Sequence, residues 1–304
     1  MEGEGEVLVY SSDGTFERTL GGTGQGPGQF SRNIVRVAVG AQDSLYVVDR
    51  SLRRLTVFSP ELTYVRTESL PFLPPMDVWV LPDHRFLVQG WRQSQRRAED
   101  QQGFHVYSTD RDLLLSVGKT WRGTVPRSYT PQVADVMADN SVWTAMRRQY
   151  RLSRWSLETG ARLTTLIRNA AWFPGDTTTE PRFANPYTEK PAPYVQGLVA
   201  GRREGYLWVL VDVADRSWKP RDLATEKTPL TPENADFNGV FDSVVEVIDI
   251  KSEEVVARQR TDAALRVVRG NDDQPLFFSY DVTESGVPVI DVWKPHLNGE
   301  GDES

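Results

Sequence analysis

The 304-residue chain contains no cysteine, three histidines and four methionines. Without thiols it has no disulfide, no thiol nucleophile and no cysteine-bound metal. The missing cysteines leave the compartment open, because a disulfide-free bacterial protein suits export as well as the cytosol. The histidines stand apart: His84 in a turn, His105 in a strand and His296 near the C-terminal end. They do not converge on a zinc or a base–nucleophile site. No run of about 18 apolar residues occurs, so no membrane-spanning helix is expected. The glycines from Gly21 to Gly28 lack the Gly-x-x-x-x-Gly-Lys pattern and lie between strands. They read as a connector needing permissive backbone angles, not as a phosphate loop. No export leader is readable after Met1.

Charge is moderate. The formal net value is −7, and acidic residues crowd both ends: Glu2, Glu4 and Glu6, then Glu300, Asp302 and Glu303. Residues 1–6 and 298–304 are therefore expected to be solvated, disordered tails. An acidic whole disfavours nucleic acid, although Arg92, Arg96 and Arg97, and Arg147, Arg148 and Arg151, form local basic clusters.

What the chain does have is a repeat. An apolar or aromatic pair followed by a polar turn occurs at Val9-Tyr10, Val57-Phe58, Val106-Tyr107, Arg154-Trp155, Val247-Ile248 and Val292-Trp293. The steps between copies are 48, 49, 48, 93 and 45 residues. A strand-rich period of about 40–50 residues is the signature of a propeller blade. Around each copy, short alternating runs bounded by Gly, Asp, Ser and Pro predict an antiparallel meander of strands a, b, c and d. The expected organisation is one all-β domain over 7–297, with a partial blade at 7–20 and blades at about 33–70, 76–118, 132–168, 194–260 and 265–297. The first blade supplies only strands that align with c and d, so it is incomplete at its N-terminus. That pattern predicts a native chain that extends upstream of Met1, where a lost leader would make the protein extracytoplasmic.

The stretch Gly21-Gly22-Thr23-Gly24-Gln25-Gly26-Pro27-Gly28-Gln29-Phe30, with Val37 to Val39, Leu45 to Asp49 and Arg54 to Phe58, resembles the NHL repeat. It departs from that pattern at Ile34, where a proline is usual, and Gly118 to Gly123 is an eroded copy of the connector. The resemblance implies a six-bladed propeller that binds proteins, RNA or small ligands, with a minority of enzymes in related folds. The chain is also similar to bacterial NHL-like propellers whose roles are largely unassigned.

Connection lengths point to one working end. The a–b and c–d turns are short, whereas the long connections, 90–103, 119–131, 169–194 and 212–243, are all d–a or b–c. In a meander these emerge together, and long loops in compact domains commonly carry function. The two longest hold Trp172, Phe173, Phe183, Tyr187, Trp218, Phe237 and Phe241, which predicts either a lid or a cover for one blade.

Candidate binding residues follow. Arg36, Asp77, Asp135 and Arg266 mark the starts of strand a, together with Gly197. Asp49, Arg50, Trp91, Arg92, Arg147, Tyr280 and Asp281 mark the ends of strand b, together with Arg148 and Asp212. Such a mouth suits an anionic or hydrogen-bonding ligand. Asp77 and Asp135 resemble the channel carboxylates that hold a metal in gluconolactonase-type propellers. No third acid joins them and two arginines do, so no metal, no cofactor and no catalytic residue is expected. The reading is a non-enzymatic, monomeric binding propeller for a protein or a small anionic or polar ligand. A metal-dependent hydrolase and an RNA-binding module are the alternatives.

Overall fold

The computed structural model describes residues 5–32, 35–40, 43–70, 77–81, 83–90, 102–119, 132–174, 185–200, 205–221, 239–268, 275–283 and 285–297. The chain divides into two compact units, Met1–Arg122 and Gly123–Ser304. No α-helix occurs among the described residues.

The first unit opens with a two-stranded sheet, β1 (Glu6–Tyr10) and β2 (Phe16–Gly21). Two four-stranded meanders follow: β3 (Val35–Val39), β4 (Leu45–Asp49), β5 (Arg54–Phe58) and β6 (Tyr64–Ser69), then β7 (Asp77–Val80), β8 (Phe86–Gln89), β9 (Gln102–Tyr107) and β10 (Leu113–Lys119). The second unit holds β11 (Gln132–Val136), β12 (Ser141–Met146), β13 (Arg151–Ser156) and β14 (Arg162–Ile167), then β15 (Tyr194–Ala200), β16 (Tyr206–Ala214), β17 (Phe241–Asp249) and β18 (Val255–Thr261). Its last sheet has three strands, β19 (Arg266–Val268), β20 (Leu276–Val282) and β21 (Pro288–Trp293).

The repeated pair has a packing cause. Side chains alternate across a strand, so neighbouring residues face opposite sides of the sheet. Phe58, with Leu45 opposite it, packs back onto Leu20 and Phe30, while Val57 packs forward with Phe86 and Tyr107 of the next sheet. In the second unit Ile248 and Leu207 face Trp143 and Leu152 of the preceding sheet, and Val247 packs with Phe277 of the following one. In these two sheets one dipeptide thus serves both inter-sheet layers.

The turn after each pair is equally regular. Ser59 N–H donates to Thr63 O at 2.9 Å and Leu62 N–H to Ser59 O at 2.8 Å, and the same bonds recur from Ser11 and Ser108. The residue two positions before the returning strand has positive φ: Gly14, Leu62, Arg111, Gly160 and Glu253. Each returning strand then carries a bulge, at Glu17, Val65, Leu114, Leu163 and Val256. A tight turn ending in a left-handed residue is a common hairpin closure, and the extra residue adds local twist.

The repeat predicts that Phe58, Tyr107, Trp155 and Trp293 occupy equivalent buried positions on strand c; the equivalence is present in the register, since they pair with Leu45, Phe86, Val142 and Phe277. Their burial differs. Phe58 and Tyr107 are buried and Trp155 is half-buried, but Trp293 is 42% exposed. Among the described residues no fourth strand covers β21, and Ile290 and Val292 on it are exposed too.

The glycine-rich connector wraps a single ring. Phe30 is fully buried, Phe30 N–H donates to Gly22 O at 2.9 Å, and Gly21 has φ +90°. A Cβ on Gly21 would fall 2.2 Å from the Phe30 ring, so a side chain cannot stand there. Arg54 braces the loop from outside by donating to Gln25 O at 2.7 Å.

Candidate functional site

Each four-stranded sheet runs in chain order, so its a–b and c–d turns lie at one end and its b–c and d–a connections at the other. At the long-connection end of the second unit, β15, β16, β17 and β19 bring polar side chains onto one buried carboxyl. Asp212 is fully buried on β16. Tyr194 Oη donates to its Oδ2 at 2.7 Å, Arg266 Nη1 to the same oxygen at 3.1 Å, and Ser243 Oγ to Oδ1 at 3.2 Å. Ser243 Oγ in turn accepts the Leu265 N–H at 2.8 Å, fixing the hydroxyl. Arg147, from the β12–β13 turn, lies 5.8 Å over the Tyr194 ring and donates to Gln196 Oε1 at 2.9 Å. Its carbonyl also accepts the Val195 N–H at 2.7 Å, locking that turn to β15.

Burial pushes the Asp212 carboxyl above its ordinary range, and Arg266, Tyr194, Ser243 and Arg147 pull it back. Burial and the adjoining Asp212 raise the Tyr194 phenol, which keeps it a donor. The arrangement offers fixed donors and oriented positive charge, the apparatus of recognition.

An aromatic wall closes one side. Tyr187, Val240, Phe241 and Ala264 are buried together with Tyr194 and Trp218 against them. Phe241 meets Tyr194 edge-on at 5.6 Å. The two longest connections clasp each other here, because Trp218 Nε1 donates to Pro186 O at 2.9 Å and Arg221 N–H to Tyr187 O at 2.6 Å. Their described stems therefore cover the end of the β15–β18 sheet. Phe183 and Phe237 lie outside the described residues.

Two further buried acids lie on β17. Glu246 is fully buried and takes hydrogen bonds from Tyr150 Oη at 2.6 Å and from Arg168 Nη2 at 3.2 Å and Nε at 3.3 Å, joining the β11–β14 sheet to its neighbour. Burial, then Glu246, raises the Tyr150 phenol. Asp242 is buried and paired with Arg260, which also donates to Ala214 O at 2.9 Å.

The proposed residues sort as follows. Arg147 and Arg266 meet around Asp212. Asp135 is half-buried and accepts the Ala200 N–H at 2.8 Å, so it joins two sheets. Asp77 is half-buried and accepts the Val78 N–H at 2.9 Å. Asp49 is buried and accepts from Ser31 N at 2.5 Å, Ser31 Oγ at 2.8 Å and Leu52 N at 2.8 Å, anchoring the connector. Arg50, Arg148 and Tyr280 are half-buried, and Asp281 is exposed. Trp91, Arg92 and the Arg36 side chain lie outside the described residues. The starts of strand a also fall at two levels. Counting back from Val39, Val80, Val136 and Val267, which pair with equivalent strand-b residues, Arg36 and Asp77 lie three residues away and Asp135 and Arg266 one.

Tyr194, Gln196, Ser243 and Glu246 were not singled out by sequence. A signal did exist, because acids and a serine inside the apolar run Phe241 to Ile248 need buried partners. His105 is buried and fully engaged, with Ser116 Oγ at 2.7 Å and Gly90 O at 3.1 Å.

Residues 2–124 match the family DUF5128, described as a 6-bladed β-propeller, and the meanders continue through the second unit. The protein is a β-propeller. Solved structures similar to it include a member of the DUF4221 family from Bacteroides vulgatus ATCC 8482, at 8% identity, covering 95% of this chain and 86% of that one, with a TM-score of 0.55. A protein from Bacteroides fragilis NCTC 9343 designated as exported gives 11% identity, 90% and 73% coverage and a TM-score of 0.53. The WD40 repeats of RRP9 give 11%, 95%, 75% and 0.50. At such identities these likenesses describe the propeller fold alone. No curated protein matches the chain. No helix among the described residues is long and apolar enough to cross a membrane.

Proposed function

We propose that this propeller is a non-enzymatic binding module whose ligand or partner docks at the long-connection end of its second unit. The observation that carries the reading is the convergence of Arg147, Tyr194, Asp212 and Arg266, from three successive blades, beside a buried aromatic wall. Maintaining a buried acid with matched donors is costly to stability, and such clusters concentrate at functional sites. Asp77 and Asp135, which the hydrolase alternative would use, each accept a backbone N–H. No group of three or more acids or histidines suited to a metal occurs among the described residues.

The test is a thermal-shift screen of small polar metabolites and candidate proteins, with hits repeated on Tyr194→Phe and Arg266→Ala. Hits weakened by both changes support the site. Hits that depend instead on Asp83 and Asp110, in short turns of the first unit, overturn it.

A further inference from the structure

The last sheet of the second unit departs from a rule that the four-stranded sheets obey. Two residues before the second member of the strand-c pair stand Thr56, His105, Ser153 and Glu246, and each meets the residue directly opposite it on the fourth strand. Thr56 Oγ1 lies 3.1 Å from Thr67 Oγ1, His105 Nδ1 2.7 Å from Ser116 Oγ, Ser153 Oγ 3.3 Å from Thr165 Oγ1, and Glu246 Oε1 3.9 Å from Arg258 Nη1. The one carboxylate of the set faces an arginine. At the same place on β21 stands Asp291, with Ser279 of β20 on its inner side. Asp291 is exposed, and among the described residues its carboxylate has no partner. Ile290 and Val292 beside it are 62% and 59% exposed, whereas Leu55, Val57 and Phe58 of β5 and Phe104, Val106 and Tyr107 of β9 are buried.

We propose that β21 is a docking edge for an extended segment of a partner polypeptide, which adds antiparallel as the fourth strand of this sheet and sets an arginine or lysine opposite Asp291. A strand added to an open sheet edge gains affinity from main-chain hydrogen bonds and specificity from alternate side chains. An opposite-charge pair directly across the two strands favours one register over its neighbours. Charge complementarity chooses the occupant. The residues after Leu297, Asn-Gly-Glu-Gly-Asp-Glu-Ser, include no cation and no β-branched residue, so their composition does not match the edge. A second copy does not match it either. Two β21 strands related by a two-fold axis normal to the sheet keep odd-numbered residues opposite odd-numbered ones, which offers Asp291 only Val289, Asp291 or Trp293. The inference does not depend on the long-connection reading above.

The probe is a labelled synthetic peptide of the sequence Val255–Thr261, the strand that places Arg258 against Glu246. Fluorescence anisotropy follows its binding to the full chain, beside the same peptide carrying Arg258→Glu, and both titrations are repeated on an Asp291→Arg variant. The expected result is saturable binding of the arginine peptide, about tenfold weaker binding of the glutamate peptide, and the reverse preference in the variant at unchanged melting temperature. Hydrogen exchange should then show the bound peptide slowing those amides of Val289–Trp293 that point away from β20. Absence of binding by the arginine peptide, the same preference in both proteins, or protection elsewhere overturns the proposal. So does slow exchange of those amides before any peptide is added, which marks the edge as covered already, by the chain itself in a monomer or by a second copy in a dimer on analytical ultracentrifugation.

Discussion

Replacing Tyr150 by Phe removes one hydroxyl from the inter-blade seam and nothing else. That hydroxyl donates at 2.6 Å to Glu246, a fully buried carboxylate that also receives Arg168 at 3.2 Å and lies 3.9 Å from Arg258. A hydrogen bond to a charged group is worth about 1.5–3 kcal/mol. Because Arg168 remains to satisfy Glu246, the expected loss is about 2 kcal/mol. Urea unfolding should show it as a lower midpoint at unchanged m. Glu246→Gln and the double variant complete a cycle, with a coupling of about 1–2 kcal/mol expected for groups in direct contact. A coupling below about 0.5 kcal/mol would refute the claim that this contact helps to hold the seam.

Three further outcomes follow from the same geometry. Phe58→Ala should cost about 3–5 kcal/mol, as expected for a buried ring, whereas Trp293→Ala at the equivalent but exposed position should cost less than about 1 kcal/mol in the same urea assay. His84→Gly should raise stability by up to about 1 kcal/mol, since His84 holds φ +64° in a turn and the relief of that strain exceeds the added chain entropy. Asp212, raised by burial, contributes stability that is full below its ordinary pKa and is lost as pH rises through its folded value. Asp212→Asn should therefore gain on the native chain as pH rises above the ordinary carboxylate range, and a shift the other way would mean that Arg266 and Tyr194 outweigh burial.

The strand order and the equivalence of blades were legible because the same dipeptide and turn recur at the c–d hairpin of each sheet, and in the β3–β6 and β15–β18 sheets that dipeptide packs both faces. Burial at the last repeat was not, because exposure of Trp293 depends on a neighbouring strand and not on its own residues. The polar mouth was legible in kind, since Arg147 and Arg266 do meet. Asp49 shows the limit, because its place at a strand end does not reveal that Ser31 and Leu52 saturate it. Tyr194 and Ser243 were hidden for a related reason. Their partners are 18 and 31 residues distant from them in sequence, beyond the reach of local pattern.

The most direct test of the account is amide hydrogen exchange with and without a bound ligand or partner. It predicts added protection at Arg147–Arg151, Tyr194–Gln196, Ser243 and Leu265–Arg266, at the long-connection end. Protection confined to the short turns around Asp83 and Asp110 would contradict it.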